Sequence, residues 1–162
     1  MAGTALTLWV LTMVGGAALL MVWVARGGYQ RPADDTPYPL TSSTTTATQT
    51  EPKERRSQIG ISSIVPHASL AVVGAITWAA YSANADDENY RPAAWLALVL
   101  LSVTVGYGLS MFTRWLADRR NGEAEEDVGV RPPEQHFPTV LVLGHGVMAI
   151  ATLAVVIIAI LA

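Results

Sequence analysis

Four stretches of this chain, residues 1–25, 57–85, 92–113 and 135–162, carry no charged side chain, so its 10 Lys and Arg and 13 Asp and Glu crowd into the segments between them. A run of about 20 apolar residues without charge is long enough to cross the ~30 Å hydrocarbon layer as a helix, which satisfies its own backbone. The expectation is an all-α integral membrane four-helix bundle. Only 14% of residues are charged and 51% are hydrophobic, against roughly a quarter charged in soluble domains, which excludes a soluble enzyme. The absence of cysteine removes disulfides, thiolate metal sites, a cysteine nucleophile and c-type haem attachment. A net charge of −3 favours neither nucleic acid nor polybasic membrane attachment.

Residues 1–25 read as a first transmembrane helix that is retained, because no Lys or Arg precedes it and its apolar stretch exceeds a signal-peptide core. Residues 26–61 read as a disordered linker: Pro32, Pro37, Pro39 and Pro52 bracket the Thr/Ser-rich run Thr41 to Thr50, which has almost nothing apolar to bury. Residues 62–162 form a three-helix core, with spans at about 62–83, 92–117 and 137–161. Pro66 suits a first helical turn, and Asp118-Arg119-Arg120 ends the third span.

Nine Lys and Arg lie in or beside the two long loops: Arg26, Arg31, Lys53, Arg55, Arg56, Arg114, Arg119, Arg120 and Arg131. Only Arg91 lies in the short connection between spans two and three. The positive-inside rule then puts both long loops in the cytoplasm and both termini outside a bacterial plasma membrane. Trp9, Trp78 and Trp95 fall near one expected interface, and Trp23 and Trp115 near the other, as in an aromatic belt.

No Asp, Glu, Lys or Arg falls within the hydrocarbon portion of a span, which disfavours an ion-coupled carrier, and no phosphate loop, dinucleotide fingerprint or hydrolase motif is present. The acidic run Glu123 to Asp127 reads as solvated. Tyr107 reads as a hydrogen-bonding ring in span three, and Gly106 and Gly108 as close-packing positions. His136 suits an interface. His67 and His145 are the ionisable side chains inside spans; each lies 11 residues after the preceding charge, Arg56 or Glu134, on spans running in the same direction. Their contexts, His67-Ala68-Ser69-Leu70-Ala71-Val72 and His145-Gly146-Val147-Met148-Ala149-Ile150, form a weak repeat.

Two imidazoles facing across a bundle are an axial ligand set for haem b, and Arg114 would then pair with a propionate. Against this, a span beginning at Pro66 leaves His67 one residue inside its helix while His145 is seven inside a span beginning at Pro138, a mismatch of about 9 Å in depth. Packing or interhelical hydrogen bonds are the competing explanation.

Residues 60–162, with Trp115 to Arg120, His136-Phe137-Pro138 and Gly144-His145-Gly146, resemble small uncharacterised multi-pass membrane proteins of actinobacteria. The resemblance implies a bacterial inner-membrane protein and supplies no activity. By subtraction, the sequence suggests a non-catalytic accessory, scaffold or assembly protein in the lipid bilayer, with a membrane-protein partner or self-association and no cofactor. The alternative is a b-type haem-binding electron-transfer or haem-handling protein using His67 and His145.

Overall fold

The computed structural model describes residues 1–29, 59–124 and 133–162, with residues 121–124 described in backbone only. The expected linker lies mostly outside them, at 30–58, as does much of the acidic run. Four helices account for the architecture: α1 (Ala2–Ala25), α2 (Ile61–Ala83), α3 (Arg91–Ala124) and α4 (Thr139–Leu161). All four contain a segment long and apolar enough to span a membrane. Short 3-10 turns at Glu88–Tyr90 and Pro133–His136 lead into α3 and α4.

Two helix limits differ from the sequence expectation. The third helix continues past Ala117 to Ala124, because charged side chains end a hydrocarbon span without ending a helix, and Ala and Arg are good helix formers. The second begins at Ile61 and holds Pro66 in its interior rather than its first turn; the missing N–H there forfeits one backbone bond, a cost that packing against neighbours offsets.

Neighbours run antiparallel around the bundle, with α1 packed mainly on α4 and α2 mainly on α3, so that α2 and α4 lie on a diagonal. The end that carries the Ala83–Arg91 connection is tightly filled. There Ala5, Trp9, Ala75, Trp78, Ala94, Ala97, Leu101, Val156 and Ile160 form one buried cluster. Small residues let backbones approach where lipid supplies no hydrophobic drive for association, and the two indoles fill the remaining space. Trp9 Nε1 donates to the Ala71 carbonyl (3.2 Å) and Trp78 Nε1 to the Ala2 carbonyl (3.0 Å), tying α1 to α2.

At the arginine-rich end, Trp23, Ile59 and Trp115 are buried. Arg119 donates to Thr139 Oγ1 (2.6 Å) and lies 5.4 Å from the Trp115 ring centre, and Gln135 Nε2 donates to the Asp118 carbonyl (3.3 Å). The tryptophans divide between the two ends in the expected groups, Trp9, Trp78 and Trp95 at one and Trp23 and Trp115 at the other. Only Trp95 is exposed; the other four tryptophans pack inside the bundle ends, where each ring gains more contact than at a lipid surface.

Gly74 sits under Trp9, and a Cβ there would meet Trp9 Cζ2 at 2.7 Å, whereas a Cβ on Gly106 meets nothing within 4 Å. Gly74→Ala should lower the stability of the detergent-solubilised bundle by about 1–3 kcal/mol. Gly106→Ala should be neutral or stabilising by up to ~1 kcal/mol. Denaturant titration followed by circular dichroism checks both values.

Candidate functional site

Each packed end is one boundary of a region of different character. No residue in 10–22, 61–73, 105–114 or 139–151 is buried, although the positions just beyond, Trp9, Trp23, Gly74, Thr104, Trp115 and Thr152, all are. A helix in a filled bundle buries about one side chain per turn. Here the four helices bury no residue over roughly three turns and pack less closely than at either end. From Trp9 to Trp23 this region extends ~21 Å along the helix axis. His67 and His145 lie at its middle.

The expected depth mismatch between the two histidines does not occur. With α2 beginning at Ile61 and α4 at Thr139, each imidazole sits six residues into its helix. The rings meet across the α2/α4 diagonal with centroids 6.2 Å apart and planes inclined by 68°.

Each ring is held by the helix beside it. His67 Nδ1 lies 3.0 Å from the Thr104 carbonyl on α3, and His145 Nδ1 lies 3.0 Å from the Thr12 carbonyl on α1. A carbonyl only accepts, so both Nδ1 atoms donate, and in each neutral ring the lone pair is on Nε2. Neither Nε2 has a hydrogen-bond partner among the described residues.

Glycine makes these carbonyls reachable. The carbonyl of a helical residue points along the axis toward the residue four positions on, whose side chain would normally cover it. Four residues after Thr12 is Gly16, and four after Thr104 is Gly108. A Cβ on Gly16 would stand 3.1 Å from His145 Cε1, and one on Gly108 would stand 3.3 Å from His67 Cε1. Gly15 adds a second close approach, with its Cβ position 3.5 Å from His145 Nδ1.

The same arrangement occurs twice. Thr12 Oγ1 donates to Leu8 O and Thr104 Oγ1 to Leu100 O, both at 2.8 Å, giving Leu-x3-Thr-x3-Gly on α1 and again on α3. Each motif receives a histidine from its packing partner. The α1–α4 and α3–α2 pairs thus form a local pseudo-twofold around the facing rings. On the outer side of α1 and α4 a groove of about 350 Å³, lined in part by Thr12, Gly15, Gly144 and His145, opens beside one ring.

Arg114 is exposed on α3, six residues beyond Gly108. Tyr107 is exposed and has no hydrogen bond among the described residues, and a Cβ on Gly106 would meet nothing within 4 Å. The Leu-x3-Thr-x3-Gly repeat carries no signal in the sequence alone, because its role depends on the pairing of α1 with α4 and α3 with α2. Among the described residues no three His, Cys, Asp or Glu side chains cluster as a metal site, so any metal chemistry at this pair needs most of its ligands from a prosthetic group.

Nitrogen-15 NMR of histidine-labelled protein without added haem should find His67 and His145 both protonated on Nδ1 and bare on Nε2. An Nε2–H tautomer at either position would contradict the hydrogen-bond assignment. No protein family, curated protein or solved structure matches this chain, and the arrangement of the two rings is what a functional reading must explain.

Proposed function

We propose that this protein is a b-type cytochrome that holds one haem b between His67 and His145 and passes electrons within the membrane. The observation that carries the reading is the spacing of the rings together with their tautomers. Two imidazoles bound through Nε2 to one iron at ~2 Å, with ring bonds of ~1.3–1.4 Å, have centroids ~6.3 Å apart; the observed separation is 6.2 Å. A direct imidazole–imidazole hydrogen bond would draw them to ~5 Å. Hydrogen bonds from Nδ1 to backbone carbonyls also orient axial histidines and raise their basicity. Gly16 and Gly108 keep α1 and α3 clear of the two rings, and the segments around the histidines bury no residue.

Two axial histidines leave the iron no open position, which suits electron transfer rather than chemistry on a bound substrate. The donor and acceptor would be partner proteins or small carriers in the bilayer. The accessory or scaffold reading rests on subtraction and does not account for the paired rings. The positive-inside count, nine against one, supports a bacterial, and by resemblance actinobacterial, plasma membrane with both termini external. The histidines would then lie nearer the cytoplasmic face.

Protein expressed with ample haem and purified in detergent should show sharp low-spin b-type bands on reduction. His67→Ala and His145→Ala should each abolish them while helicity and monodispersity persist, since losing either ligand leaves a five-coordinate or empty site. A colourless protein that also leaves the spectrum of added haem unchanged would overturn the reading. A reporter fused after Ala162 should be active only if it functions outside the cytoplasm; cytoplasmic activity would overturn the orientation.

A further inference from the structure

The repeat around the histidines extends along all four helices. Setting α1 on α3 with Thr12 over Thr104 brings Ala5, Leu8, Gly16 and Trp23 over Ala97, Leu100, Gly108 and Trp115, without a gap. Setting α2 on α4 with His67 over His145 aligns their first residues, Ile61 and Thr139, and their extended N-caps, Gly60 and Pro138. Burial follows the same register. Ala5, Trp9 and Trp23, the buried residues of α1, fall over buried Ala97, Leu101 and Trp115, and Gly74 and Trp78 of α2 fall over buried Thr152 and Val156. Contacts follow it too: α1 packs mainly on α4 as α3 does on α2, with less contact between α1 and α2 or between α3 and α4. Parallel repeats related by an axis along the membrane normal are a recurring construction in helical membrane proteins.

We infer that α1–α2 and α3–α4 are two copies of one helix hairpin, and that the face of each bearing the histidine and the Leu-x3-Thr-x3-Gly socket is a docking surface for a second copy. The inference goes beyond the haem reading and does not depend on it. Neither hairpin fills its own socket: Thr12 and Gly16 of the first receive His145 of the second, and Thr104 and Gly108 of the second receive His67 of the first. The same surface serves on both sides, so the exchange closes as a pair and leaves no socket open, as in a twofold interface. Its means are those that associate helices in lipid, small residues at the contact and polar side chains bonded across it. Where the copies differ most, the difference is compensated inside one hairpin. Trp9 lies over Gly74 in the first, at the positions held by Leu101 and Thr152 in the second. The facing imidazoles are then a product of docking, and the two-ring site exists only where two hairpins meet.

The test nicks the full-length protein, without haem, at a protease site inserted between Ala85 and Asp86 in the exposed connection between α2 and α3. The nicked protein should remain one particle in detergent. Two nicked batches, one isotope-labelled, are then mixed, taken through denaturant and back, and weighed by native mass spectrometry. Besides the mixed pair, the products should include each hairpin paired with a copy of itself. Separation on nicking, or mixed pairs exclusively, would overturn the inference. A second measurement uses the intact chain and nitrogen-15 NMR of its histidines. Gly16→Ala should shift the Nδ1 resonance of His145 and Gly108→Ala that of His67, by comparable amounts, because each added Cβ stands against one ring. Gly106→Ala, whose Cβ meets nothing within 4 Å, should move neither. A response in one socket alone, or in neither, would overturn the equivalence of the hairpins, and these spectra decide the matter if the separated fragments aggregate.

Discussion

The centre of this molecule depends on two hydrogen bonds, from the Nδ1 atoms of His67 and His145 to the backbone carbonyls of Thr104 and Thr12. A helical carbonyl can accept a second donor only where the side chain that would cover it is missing. Gly108 and Gly16 provide that, and each bond consequently fixes three things together: the depth of the ring, its orientation, and which nitrogen carries the lone pair. Because α2 packs on α3 and α4 on α1, the two bonds hold the rings from opposite sides, with centroids 6.2 Å apart.

The rest of the bundle holds that geometry from its ends. Lipid tails are as apolar as Leu or Val, so helix association in a membrane relies on close contact and on polar groups that find partners. The packed end supplies both through alanines and two indoles whose N–H groups bond to the backbone of a neighbouring helix. The other end relies on Trp115, Arg119 and the Gln135–Asp118 bond. Between the two ends no residue is buried in 10–22, 61–73, 105–114 or 139–151, and the two imidazoles meet across that stretch.

Span number and approximate position were legible because the absence of charge over 20 residues has few physical explanations. Helix limits were less so: Asp118 to Arg120 mark where a hydrocarbon span ends, yet the helix runs on, and Pro66 resembles a helix start although Ile61 begins it. That one misplaced start produced the apparent depth mismatch that weighed against the histidine pair. The histidines themselves stood out as ionisable side chains within spans. Their supports did not, since a Thr and a Gly four residues apart are ordinary in membrane helices until tertiary pairing shows what they receive. Tyr107 and Gly106 misled for the same reason, because neither residue type reveals which face of α3 is turned inward.

Whether both imidazoles bind one iron at the mutual inclination seen between them is tested most directly by low-temperature electron paramagnetic resonance of the oxidised, haem-loaded protein. Axial imidazole planes inclined by 68° leave the iron's d orbitals nearly degenerate, and the expected spectrum is a highly anisotropic low-spin signal dominated by a single low-field line that disappears in His67→Ala and in His145→Ala. A high-spin signal, or a low-spin signal that survives either substitution, would contradict it.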